Sequence, residues 1–157
     1  MFGRIQSTFL LAAAILILMM FFAPIAALNL PDGATYSVFT TKVMKGEEFL
    51  TWNYVSMILN VVVALLSLVS IFVMAGRVKN MRSGLLLQFR FCVINILLQV
   101  GMIVMTLYQL MTFTSEGGEW SLAYAFIFPV AALMFTILAI RGILNDMTKI
   151  KSFDRIR

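Results

Sequence analysis

Residues 85–111 read LLLQFRFCVINILLQVGMIVMTLYQLM. A helix needs about 20 mainly apolar residues to cross roughly 30 Å of hydrocarbon, and this stretch exceeds that. It holds one charge, Arg90, and no acid. Gln88, Cys92, Asn95, Gln99 and Thr106 recur along it at helical spacing, on one face. Such a helix turns its polar stripe toward protein and the rest of its surface toward lipid.

Three further stretches have the same character: 7–28, centred on LAAAILILMMFF, then 54–75 and 121–143. Long apolar runs exclude a membrane β-barrel, whose strands are short and alternate. Open strands cannot span lipid with unpaired backbone groups. The links are short: 29–53, 76–84, and 112–120 with its Glu-Gly-Gly-Glu turn. Short links make consecutive helices antiparallel neighbours. The expected fold is therefore an all-α membrane protein, a four-helix antiparallel transmembrane bundle over residues 1–143. A basic tail, 144–157, follows it.

Composition agrees. Of 157 residues 62% are hydrophobic and 12% charged, against about 45–50% and about 25% in soluble domains. A chain this small cannot cover so much apolar surface with its own polar residues.

Basic residues orient membrane helices. Arg4 precedes the first span; Arg77, Lys79 and Arg82 join the second to the third; Arg141, Lys149, Lys151, Arg155 and Arg157 close or follow the fourth. The opposite side has Lys42 and Lys45 with five of the seven acids. Nine basic residues against two place both termini in the cytoplasm. Arg4 ahead of an apolar run also fits a signal peptide, but the run exceeds the usual core of about 7–15 residues. The first span is expected to remain. The net charge of +5 then follows from topology and does not point to nucleic acid.

The outer loop 29–53 forms either a small β-hairpin between the first two helices or an irregular loop. Tyr36, Val38 and Thr40 alternate with Ser37, Phe39 and Thr41, Lys45-Gly46 can turn, and 48–52 can return. Trp52, Tyr54 and Trp120 are expected at the outer interface, where amphipathic rings collect. Pro24 and Pro129 can kink the outer ends of the first and fourth spans. In the tail Ile143, Met147, Ile150, Phe153 and Ile156 alternate with basic residues, the pattern of an amphipathic cytoplasmic helix lying on anionic lipid.

Candidate chemistry is confined to polar groups inside the spans. Asn60, Gln88, Asn95 and Gln99 form the candidate intramembrane cluster, supported by Asn53, Ser56, Ser67 and Ser70 on the second span and Ser121, Tyr124 and Thr136 on the fourth. Amides and hydroxyls bonding across helices are the simpler account, each bond worth about 0.6–2 kcal/mol. A polar pocket or pathway is the sharper one. Arg90 either snorkels to the inner headgroups or, with Arg77, Lys79 and Arg82, contacts an anion or a lipid headgroup.

No histidine is present, and Cys92 is the one cysteine. This disfavours His-based catalysis, paired-thiol redox chemistry and a resident metal. The twelve methionines read as packing, since thioether sites need clustered Met. No enzyme activity and no cofactor are expected. A structural or accessory subunit of a membrane assembly is the first expectation, with a membrane-protein partner or a second copy of the chain. A small oligomeric transporter or channel-like protein with a polar lining is the alternative.

Three segments resemble a known family. Arg4-Ile5-Gln6 ahead of a Leu/Ala-rich span, LQFRFCVINILL (87–98) and the closing LAIRGILNDMTKIKSFDRIR (138–157) are similar to the DUF4293 family of uncharacterised four-span membrane proteins. The closing pattern matches at Ala139, Arg141, Ile143, Asp146, Ser152, Asp154, Arg155 and Arg157, while Met147 stands where the pattern has a second acid. The resemblance covers most of the chain outside the outer loop. It implies a Bacteroidota protein of the inner membrane and no assigned activity. It also marks Arg141, Asp146, Asp154, Arg155 and Arg157 as a C-terminal motif.

Overall fold

In the computed structural model, which describes residues 4–29, 33–75, 81–114 and 119–154, the first apolar stretch does not stay helical. Helix α1 runs Arg4–Met19. It ends in a tightened turn in which Met20, Phe21 and Phe22 bond back to Ile17, Leu18 and Met19. The Thr40 hydroxyl donates to the Met20 carbonyl at 3.1 Å. Pro24 then lacks a backbone donor and biases Ala23 away from helix. From Ala26 to Asn29 the chain is strand β1. At 1.5 Å per residue α1 is about 24 Å long, shorter than the expected span over 7–28. Hydropathy reads an apolar strand as a continuation of an apolar helix, so the boundary was hidden.

The outer loop is a sheet, and a larger one than a hairpin. Strands β2 (Thr35–Val38), β3 (Lys42–Lys45) and β4 (Glu48–Trp52) follow β1, and β5 (Glu119–Leu122) comes from the later loop. Their order is β4-β3-β2-β1-β5, and all pairs are antiparallel. Gly46 has φ +59° at the first central position of the β3–β4 turn, the sign type II′ hairpins require. A register shift between β3 and β4 leaves Leu50 unpaired in a bulge. Ala26, Leu28, Val38 and Val43 bury one face of the sheet against Leu110.

Helices α2 (Tyr54–Ala75), α3 (Met81–Thr114) and α4 (Ile127–Asp154) complete the fold. Each of these three is long and apolar enough to cross a membrane. The four helices pack in a ring, α1 against α2 and α4, and α3 against the same two. Two proline expectations fail. Pro24 lies outside α1 altogether, and Pro129 occupies the first turn of α4, where no backbone donor is needed. Neither kinks a helix. The tail is helical to Asp154, as a continuation of α4, which runs unbroken past Ile143 because nothing between them breaks a helix.

Candidate functional site

The buried positions of every helix follow a three-and-four spacing. On α3 they are Leu85, Gln88, Cys92, Asn95, Gln99, Met102 and Thr106; on α2 Ser56, Asn60, Val63, Ser67 and Ser70. On α4 they are Ala132, Thr136, Ala139, Ile143 and Asp146; on α1 Gln6, Leu10, Ala13 and Ile17, with Met20 in the turn that follows. This is the repeat that keeps one seam of each helix facing its neighbours. The seams of α2 and α3 are mainly polar, whereas those of α1 and α4 are mainly apolar or small.

The polar seams meet. Asn53 and Gln109 exchange carboxamide bonds at 3.2 and 3.1 Å, with the Ser56 hydroxyl 3.4 Å from Gln109 Oε1. Fourteen residues further along α2, and fourteen back along α3, Asn95 Nδ2 donates to Ser67 Oγ at 2.7 Å. Ser67 in turn donates to the Val63 carbonyl at 3.0 Å. Three residues further, Ser70 lies beside Cys92 and donates to the Leu66 carbonyl at 2.7 Å. The constant offset defines one antiparallel register. Toward α4, Gln99 Nε2 donates to Thr136 Oγ1 at 3.1 Å, and Thr136 donates to the Ala132 carbonyl at 2.8 Å.

Other polar atoms in this interior are left without partners. Asn60 and Gln88 are fully buried and neither carboxamide forms a hydrogen bond. Asn95 Oδ1 and Gln6 Oε1 are orphaned as well. Each such group costs about 1–3 kcal/mol if it stays dry. Interhelical bonding thus explains Asn95 and Gln99 on their bonded sides, and does not explain Asn60 or Gln88. Midway along, Ile17, Val63, Met102 and Ala132 pack into one apolar cluster, at the level of Asn60 and Gln99.

At the end where α1 and α3 begin and α4 ends, Gln6 Nε2 donates to Asp146 Oδ2 at 2.5 Å. Gln6 is 3% and Asp146 8% exposed. Gly142 allows the approach: a Cβ there would lie 2.8 Å from Gln6 Cγ. Next to this pair Leu10, Leu85, Cys92, Ala139 and Ile143 form a second apolar cluster.

Asn60, Gln88, Asn95 and Gln99 therefore share one interior without making one mutually bonded cluster. Arg90 and Arg141 are exposed, so neither belongs to it. Arg77, Lys79, Arg155 and Arg157 lie outside the described residues, as do the side chains of Arg82 and Asp154. Reading the spans alone missed Gln6, Gln109 and the depth of Asp146. Gln109 follows Thr106 by three residues and Gln6 precedes Leu10 by four, so both continue the seams; Asp146 was hidden by ending the fourth span at Ile143. Among the described residues no group of three His, Cys, Asp or Glu could hold a metal ion.

A family model for a domain of unknown function, DUF4293, matches residues 2–156. No curated protein matches the chain.

Proposed function

The chain belongs to the DUF4293 family, and from that premise we propose that it is a non-enzymatic, four-span inner-membrane protein that admits small polar solutes to its interior. In this reading both termini are cytoplasmic and the sheet faces the opposite side. Three long apolar helices support membrane insertion, and the packing of the shorter apolar α1 against α2 and α4 supports a fourth crossing. The basic residue count supports the direction.

The observation that carries the solute reading is the pair of unpartnered carboxamides, Asn60 and Gln88, buried among partnered ones. Amides held without protein partners in a membrane interior call for water or a polar guest. The apolar cluster around Met102 corresponds to a closed form, and passage requires it to part. Purified protein in liposomes, followed by stopped-flow light scattering, tests this with water, urea and glycerol as probes. Faster volume change than in protein-free liposomes, lost in Asn95→Leu and Asn60→Leu with folding intact, supports the reading. Rates equal to those of protein-free liposomes overturn it.

A second reading, an accessory subunit, draws on β4. All five of its residues are exposed, and Phe49, Trp52 and Tyr54 form a contiguous aromatic row at the start of α2. A membrane-protein partner or a second copy of the chain could cover that row. Anionic lipid is the partner proposed for the opposite end. A groove of about 500 Å³ between α3 and α4 is lined by Leu85, Leu86, Leu144, Met147 and Ile150, with Lys151 beside them.

A further inference from the structure

Along α4, Arg141, Leu144, Thr148 and Lys151 follow one another at three, four and three residues, so they share one outward stripe, and all four are exposed. On α3, Leu86 and Arg90 stand one turn apart and are exposed as well. The two helices leave a groove of about 500 Å³ where α3 begins and α4 nears its end. Leu86, Leu144, Thr148 and Lys151 line it. So do Leu85, Met147 and Ile150, which also pack in the second apolar cluster. The groove is an apolar cleft continuous with the packing between the helices, with a lysine at its rim.

The bond from Gln99 to Thr136 fixes the level of these antiparallel helices. Nine residues back along α3 and nine on along α4, Arg90 stands level with Asn145. Its height is therefore between those of Arg141 and Lys151. Counted from the start of α4 at Ile127, the hydrocarbon ends after about 20 residues, near Met147. The groove straddles that boundary. Arg90 and Arg141 stand on its membrane side, and Arg141 is about 9 Å below it, a depth from which a long side chain reaches the headgroups. Asp146 is buried on the seam toward α1, where it bonds Gln6, so its charge is turned away from this stripe.

A guest with one apolar end and one anionic end fits both the cleft and its surroundings. Guanidinium groups hold phosphate through paired N–H bonds, and basic pockets between helices at the cytoplasmic side suit anionic headgroups. A zwitterionic lipid carries its own cation beside the phosphate and gains less from them. We propose that the α3–α4 groove seats an anionic glycerophospholipid. Its acyl carbons lie against Leu86, Leu144 and Ile150, and its phosphate lies between Lys151 and the upturned guanidinium groups of Arg90 and Arg141. The inference rests on the membrane reading and deepens its lipid partner, from attraction to a charged surface to one bound molecule. A lipid held there bridges α3 and α4 and stabilises their packing.

The test uses the full-length protein, delipidated in a neutral maltoside detergent. Phosphatidylglycerol and phosphatidylcholine with the same acyl chains are added in turn. Thermal unfolding and native mass spectrometry of the retained lipid are the two readouts. The proposal expects a saturable rise in unfolding temperature with phosphatidylglycerol and one retained lipid per chain, since a ligand of the native state stabilises it according to its saturation. Arg141→Gln and Lys151→Gln each move the midpoint about fivefold higher, the equivalent of one basic residue at an anionic lipid surface. Lys149→Gln removes the same charge from a position that does not line the groove, and moves the midpoint less. Leu86→Trp fills the groove, keeps every charge and abolishes lipid retention. Should Leu86→Trp fail to fold, Leu144→Trp carries the same arm, and the comparison of Lys151→Gln with Lys149→Gln stands without either. Equal stabilisation by both lipids overturns the proposal. So does retention undiminished in the Trp variant, or a shift in Lys149→Gln as large as in Lys151→Gln. A dimer that Leu86→Trp separates, with no lipid retained, gives the groove to a second copy and overturns it too. A chain folded and soluble without detergent would sink the membrane reading itself, whereas a detergent-dependent chain with no lipid preference would sink only this site.

Discussion

Gln6 and Asp146 are 140 residues apart in sequence and joined by a 2.5 Å hydrogen bond. The bond ties the beginning of α1 to the far part of α4, and Gly142 is the reason it can form. Adding a Cβ at Gly142 meets Gln6 Cγ at 2.8 Å, so the glutamine would have to move off the carboxylate.

Gly142→Ala is therefore expected to destabilise the protein by about 1–2 kcal/mol, even though Ala is a better helix former than Gly by roughly 1 kcal/mol. In a Gln6→Ala background the obstacle is gone, and the same substitution should become neutral or stabilising. A double-mutant cycle on thermal unfolding in detergent checks the reversal of sign. Additive effects would count against the contact.

Asn95 and Ser67 carry the shortest bond between the α2 and α3 seams. Asn95→Ala and Ser67→Ala should each lower stability, and their coupling should fall near 0.6–1.7 kcal/mol, roughly the range for hydrogen bonds between membrane helices. A coupling indistinguishable from zero would mean that each side chain finds another partner.

Asn60 makes no hydrogen bond although it is fully buried. Asn60→Leu removes two unpartnered polar atoms and keeps the branched shape of the side chain. The variant is expected to unfold at higher temperature, with a gain of about 1–3 kcal/mol if those atoms are dry in the native protein. It should at the same time slow solute entry in liposomes. A gain in stability with a loss of flux is the pattern expected where polarity is kept for function; unchanged flux would separate Asn60 from any path.

Gly33 and Gly46 adopt φ of +75° and +59°, and a Cβ at either position would meet nothing within 4 Å. Substitution by Ala then costs backbone strain and no steric clash, about 1–2 kcal/mol at each position. The loss should appear as faster amide exchange in β2, β3 and β4, while the helices keep their protection. Equal loosening of sheet and helices would show that the sheet and the helix ring unfold as one unit.

The apolar helices and the polar stripes of 53–70 and 88–106 are legible in the chain alone, because period and hydropathy are local properties. So is the lack of histidine and of paired thiols. The end of α1 is not legible there, since Ala26, Ala27 and Leu28 are as apolar as the helix before them; only pairing with β2 and β5 makes them a strand. Nor could local pattern join β5 to the sheet, because that contact spans about ninety residues of chain, from Ala26↔Leu122 to Asn29↔Glu119. Which polar atoms are satisfied is settled by packing in three dimensions. Asn95 and Asn60 are the same residue type on facing seams, and Ser67 lies opposite one while no partner lies opposite the other. The depth of Asp146 is settled in the same way, by α4 running on past Ile143 and by a glycine that lets Gln6 lie against it.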